Sequence, residues 1–259
     1  MIRRFAKYTM LSLLAMGALA ILASSASAMT AKTNHDDIKI GLTYHGGTVS
    51  VSGLADPNVE LIMKITGEDA TEKLMRKDKA AGMWMNVEEI TLDHVPEIYY
   101  LRSTKDPETI LSAEQLNQYV IGYPALRDKI DLKPAKPPEQ MARLLDDFIK
   151  YKQEGKLYSE SLGNVDIKPE DIGESYNTVF DWPYQAPPGQ YQVDGYAGRD
   201  GQVIDTAKSQ VTVEQDGAVK SLSDMARNNG AVYGLAAIGV SVTAGFGVGI
   251  VFKSGGGSH

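Results

Sequence analysis

Apolar and polar residues alternate with a period of two over much of the chain. Ile38, Ile40 and Leu42 alternate with Lys39, Gly41 and Thr43. After a turn at His45-Gly46-Gly47, Val49 and Val51 alternate with Thr48, Ser50 and Ser52, and Val59, Leu61, Met63 and Ile65 repeat the pattern. Successive side chains of a strand point to opposite faces, so these stretches predict half-buried strands. The same reading predicts strands near residues 73–77, 84–90, 97–102, 176–182 and 191–196, and a last strand holding Val211 and Val213. Pro187-Pro188-Gly189 is a turn, and Arg199-Asp200-Gly201-Gln202 carries the Asp-Gly hairpin signal.

Between these strands the period changes. Ser112 with Gln115 has the spacing of a capping box, and Leu116, Tyr119 and Val120 give a short helix an apolar face. Lys133-Pro134-Ala135-Lys136-Pro137-Pro138 is a stiff spacer. Pro138 suits a first helical position, Met141, Leu144, Leu145, Phe148 and Tyr151 form an apolar stripe, and Gly155 is a plausible stop. The fold expected is mainly β: an immunoglobulin-like β-sandwich over residues 29–217, with a helical insertion at about 111–155. Two small β-domains joined by a helical linker remain the alternative, although neither half has enough strands for a closed core.

The two ends carry a different pattern. Arg3, Arg4 and Lys7 precede an uncharged stretch from Tyr8 to Ala23, followed by Ala26-Ser27-Ala28. That order predicts a secretory signal peptide over residues 1–28, cleaved after Ala28; an uncleaved anchor helix is the alternative. Residues 231–252 contain no charged side chain. At about 1.5 Å per residue they reach roughly 33 Å, enough to span a bilayer's apolar core. Residues 218–230 then form a juxtamembrane segment, and 253–259 a short cytoplasmic tail. Ala237, Ser241, Gly245 and Gly249 recur every four residues and mark a helix-packing face.

Composition narrows the chemistry. The 259 residues include no cysteine and carry a formal net charge of −7. No disulfide scaffold, thiolate metal site or cysteine nucleophile is available, and the acidic balance argues against nucleic acid as a partner. No nucleophile elbow, H-E-x-x-H or P-loop is present. Glu88-Glu89 and Asp146-Asp147 are adjacent pairs whose side chains diverge on a strand or helix, so no catalytic residue and no enzyme activity is expected. The clearest polar cluster is Lys73, Arg76, Lys77 and Lys79 with Trp84 and Asn86, a candidate surface for an anion or an acidic partner. On a regular strand Arg76 faces away from the three lysines, and an edge strand guarded by lysines explains the cluster equally. Met83 and Met85 would share a strand face and could offer thioethers to Cu(I). Met63, Met75, Met83 and Met85 read more simply as fillers of irregular core gaps. No cofactor is expected.

Several stretches together resemble a known family: residues 38–52, Arg76-Lys77 with Gly82-Met83-Trp84-Met85-Asn86, Val95-Pro96 with Tyr99-Tyr100, Pro187-Pro188-Gly189-Gln190-Tyr191, and Tyr233-Gly234-Leu235 before the span. The chain resembles the Alph_Pro_TM family of alphaproteobacterial transmembrane proteins over nearly all of its mature length. Met-Trp-Met departs from the Gly-Ile-Trp pattern associated with that family. The resemblance implies topology and assigns no activity or catalytic residue. It also implies a gene-neighbourhood link to sulfite-exporter-like membrane proteins.

The function expected is therefore non-catalytic: a periplasmic domain held in the bacterial inner membrane by one helix, serving as accessory to another membrane protein or self-associating through that helix. A periplasmic binding module for an oxyanion or a metal ion is the alternative.

Overall fold

A computed structural model describes residues 29–34, 37–41, 44–80, 82–171 and 173–253. The expected signal peptide, His35, Leu42, Thr43 and the tail from residue 254 onward lie outside the described residues.

The architecture is mainly β, with helices and one C-terminal apolar helix. Strands β1 (Lys32–Thr33), β2 (Asp37–Ile40), β3 (Gly47–Ala55) and β4 (Glu60–Thr66) are followed by a long hairpin, β5 (Asp69–Ala80) with β6 (Met83–Pro96), and by β7 (Tyr99–Ser103). Helices α1 (Pro107–Ile110), α2 (Ala113–Tyr119) and α3 (Gly122–Lys129), strand β8 (Asp131–Lys133) and helix α4 (Pro138–Glu154) come next. Strands β9 (Tyr158–Leu162), β10 (Asp166–Pro169), β11 (Glu174–Trp182), β12 (Gly189–Arg199) and β13 (Gln202–Gln215) lead into α5 (Gly217–Asn228) and α6 (Gly230–Lys253).

The strands form a four-stranded sheet, β1-β3-β11-β10, a six-stranded sheet, β2-β13-β12-β4-β7-β9, and a three-stranded sheet, β5-β6-β8. The two larger sheets share one core. Val49 and Val51 of β3 and Phe180 and Trp182 of β11 meet Leu61, Met63 and Ile65 of β4, Tyr191 and Val193 of β12 and Val211 of β13. Aromatic edges organise this core, with Trp182 and Tyr191 perpendicular at 4.8 Å between centroids. Each such large side chain contributes roughly 1.5–3 kcal/mol by leaving water.

The six-stranded sheet is buried on its other face too. There Ile62, Tyr99, Leu101, Tyr158 and Tyr196 pack with Leu126, Leu145, Phe148 and Ile149 of the helices and with Ile90, Leu92 and Val95 of β6. Strand β4 is the clearest case: the five residues from Leu61 to Ile65 are all buried, alternating between the two cores. The helical segment is thus a cover on a sheet that would otherwise expose an apolar face to water.

Local signals act largely as the sequence predicts. Ser112 Oγ accepts the Gln115 N–H at 3.4 Å. The Gln115 side chain does not close the box; its Oε1 accepts the Val203 N–H at 3.2 Å and ties α2 to β13. Pro138 opens α4, but the buried face of that helix is Leu145, Phe148, Ile149 and Lys152, and Tyr151 is 58% exposed. Met141 and Leu144 pack partly buried against the same core, and Lys152 is buried where the pattern predicts Tyr151, its ammonium reaching Glu72 and lying 5.6 Å from the Phe148 ring centroid.

Candidate functional site

The cationic cluster predicted from the sequence lies at the far end of the β5–β6 hairpin. β8 pairs with β6 only at Thr91, Leu92 and Asp93, so the outer hairpin has no second neighbour in its sheet. β5 is the edge strand of that sheet. In the ladder Lys73 faces Thr91, Met75 faces Glu89, Lys77 faces Asn86 and Lys79 faces Trp84, with a bulge beside Val87. Directly paired residues share a face, so Lys73, Met75, Lys77 and Lys79 line one side with Trp84, Asn86 and Glu89. Arg76 projects from the opposite side with Glu88, as strand alternation requires.

Carboxylates engage part of this cluster. Lys73 Nζ lies 3.5 Å from Glu89, and Arg76 reaches Asp78 at 3.0 Å and Glu88 at 3.4 Å. Glu88 also pairs with Lys136 on the segment leading to α4. The Lys136 ammonium, seconded by Arg76, holds the Glu88 carboxyl below its ordinary range. Glu88 and Glu89 therefore go to different partners on different faces, and Asp146 pairs with Arg127 at 2.8 Å. Lys79 Nζ stands 5.5 Å from the Trp84 ring centroid, within cation–π range.

The hairpin end is apolar as well as cationic. Trp84 is 68% exposed and Met83 64%, and Met75, Met85 and Val87 are also exposed. This corrects the reading of the methionines as core fillers: only Met63 of the four is buried. The reason is reach, because the packing partners of the hairpin stop at Leu74 and Ile90. Met83 and Met85 share a face, as expected from their spacing, and that face is opposite Trp84.

A second surface is α6. Its segment Gly230–Ile250 has a mean hydropathy of 1.7 and is buried against no other part of the described chain. Ala237, Ser241, Gly245 and Gly249 lie on one face, and a Cβ built at Gly245 or Gly249 meets nothing within 4 Å. The serine and threonine hydroxyls within this helix are satisfied inside it. Ser241 Oγ donates to the Ala237 carbonyl and Thr243 Oγ1 to the Gly239 carbonyl, both at 2.8 Å. Such internal pairing removes the cost of placing a hydroxyl in hydrocarbon. Ahead of it, α5 brings Val219, Leu222 and Met225 to one face, with Leu222 48% exposed.

Sequence reasoning missed a buried ion pair between the two halves of the chain. Lys64 of β4 is 7% exposed and Asp194 of β12 is 6% exposed, with 3.9 Å between Nζ and Oδ2. Lys64 also donates to the Tyr119 carbonyl at 2.6 Å and lies 5.4 Å from the Tyr196 ring centroid. Burial, partly offset by Asp194, pushes the Lys64 ammonium down to about 8. The one sequence signal was a lysine inside the apolar run Leu61-Ile62-Met63-Lys64-Ile65.

No curated protein matches this chain. A family profile matches residues 28–254, which include the sheets, the hairpin and the apolar helix. On that match, the chain belongs to the family described as putative transmembrane protein (Alph_Pro_TM).

Proposed function

We propose that this protein is a non-catalytic accessory of another membrane protein, a domain held at the bacterial inner membrane by α6 and exposed to the periplasm. The observation that carries this reading is the hairpin end, which is exposed and apolar on both faces, with Trp84 beside Lys77 and Lys79 on one and Met83 and Met85 on the other. Aromatic residues and methionine are enriched at interface cores, and a projecting end that exposes them marks a contact surface. Anchoring by α6 raises the effective concentration of such a patch toward any partner in the same bilayer. The small-residue face of α6 offers that partner, or a second copy of the chain, a helix backbone to pack against. The family link makes a sulfite-exporter-like transporter the first partner to test.

The test is crosslinking in native membranes followed by co-purification and mass spectrometry. Wild type should recover a defined membrane protein. The double variant Met83→Ser, Trp84→Ser should lose most of that recovery at equal expression and unchanged melting temperature, because both side chains are more than half exposed. Equal recovery from wild type and variant would sink the assignment of the hairpin.

A further inference from the structure

We infer that a second site, distinct from the hairpin, binds a small oxyanion in the cleft between β7, β9 and β11. A cavity of about 300 Å³ opens there, lined by Tyr100 and Arg102 of β7, Gln153 of α4, Lys156 and Ser159 at the α4–β9 corner, and Asp181 of β11. Arg102 and Lys156 are distant in sequence, and the parallel pairing of β7 with β9 brings them to one opening.

Arg102 leaves a buried donor unmatched in this cleft, and Asp181 is the one carboxylate among the described residues that line it. Arg102 Nε is buried and has no hydrogen-bond partner among the described residues. Its Nη1 has only a long contact, 3.4 Å to Ser159 Oγ, and its guanidinium carbon lies 5.5 Å from the Phe180 ring centroid. Neither Arg102 nor Lys156 has a carboxylate within 4.0 Å among the described residues. The nearby carbonyls are already taken: Lys152 O accepts Leu157 N–H at 2.9 Å, Gln153 O accepts Lys156 N–H at 2.9 Å, and Lys156 O accepts the Tyr100 hydroxyl at 2.6 Å. A buried donor without an acceptor is costly, and an arginine fork matches the paired oxygens of a carboxylate, sulfate or phosphate. Two cations and Asp181 leave the site about one positive charge, which suits a small anion rather than a polyphosphate.

The backbone at Lys156 adds an independent observation. Gly155 ends α4 in the right-handed region, and Lys156 takes the left-handed position that glycine normally holds, with φ 56°. A non-glycine residue there carries strain, and such positions are enriched at ligand clamps, although Val120 takes the same conformation at the end of α2. Glycine one residue later would close the helix at lower cost, but it would remove the ammonium from the cleft.

The experiment uses the full chain in detergent micelles. Thermal unfolding is followed against sodium sulfate, sodium phosphate and sodium acetate, each compared with sodium chloride at matched ionic strength. At least one oxyanion should raise the melting temperature saturably above the chloride baseline. Lys156→Gly should keep or raise the basal melting temperature and weaken the anion at least tenfold. Arg102→Lys, which retains charge but lacks the fork, should weaken it as well. The Met83→Ser, Trp84→Ser variant should bind the anion like wild type, which separates this site from the hairpin reading. No saturable shift above chloride with any of the three salts, or unchanged affinity in Lys156→Gly, would overturn the inference.

Discussion

Asp205 illustrates how single residues set up this molecule. Its Oδ2 accepts the backbone N–H of Met29 at 2.5 Å, and the Met29 side chain is 6% exposed in the main core. Cleavage after Ala28 would turn that amide into an α-ammonium, converting a neutral donor into a charged one facing a carboxylate. Asp205→Asn should then cost about 1.5–3 kcal/mol, the range for hydrogen bonds to charged groups, read by denaturant unfolding of the mature protein. A loss below about 0.5 kcal/mol would refute a charged terminus there. Lys64 makes a pH prediction. Burial holds its ammonium at about 8 in the fold, below its ordinary value near 10.5. Between these values the unfolded chain binds more protons, so stability rises with pH across the window. The gain should be about 1–2 kcal/mol from pH 8 to 9.5. Lys64→Met should flatten that rise. Above pH 10 the sign reverses, because burial holds the Tyr99, Tyr158 and Tyr196 hydroxyls well above their ordinary range. The unfolded chain then releases protons that the fold keeps, and stability falls.

At the scale of elements, the hairpin and the apolar helix pose the same physical question: what covers an apolar surface that the chain itself leaves bare. In α6 the test is substitution on the small-residue face. Gly245→Leu and Gly249→Leu add bulk where a built Cβ meets no side chain or other element of the described residues within 4 Å, so folding and insertion should be unaffected. Close backbone contact with another helix should be lost, at about 1–2 kcal/mol or roughly tenfold in association. Leu at Val240 and Val248, on other faces, is the control, and partner recovery or self-association in a membrane reporter is the readout. Indistinguishable behaviour of the two sets would make α6 a passive tether. The β5–β6 hairpin differs in having its base buried. Ile90 lies in the second core and Leu74 packs against it, so the exposed end projects from an anchored base.

For the whole molecule, the order of layers follows from the six-stranded sheet being apolar on both faces. One face takes the four-stranded sheet, and the other takes the helices with the three-stranded sheet. Orientation across the membrane is the prediction proper to this scale. An exported-phosphatase reporter fused after Gly217 should be active, since α5 and α6 follow the last strand and the sheets precede it. Robust cytoplasmic fluorescence from a fusion at the same junction would reverse the proposed topology.

Much of this fold was legible in the sequence because strands and helices are local. A two-residue alternation marks Val49 and Val51 wherever the strand ends up, and an uncharged run marks α6 by length alone. The predicted strands from Ile38 to Val213 and the start of α4 at Pro138 appear where the pattern put them. The same locality explains the limits. Which face of α4 is buried depends on what lies across from it, so Tyr151 turned outward while Lys152 turned in. Met75, Met83 and Met85 have the same apolar character as Met63, and only the reach of the hairpin past its packing partners leaves them in solvent. Lys64 meets Asp194, and Arg102 and Lys156 come to line one cleft, through strand order, which no short window of sequence contains. By itself the sequence determined the elements and the membrane helix. The tertiary structure decided which charges are buried together and which apolar residues are left exposed, because both depend on contacts between residues far apart in the chain.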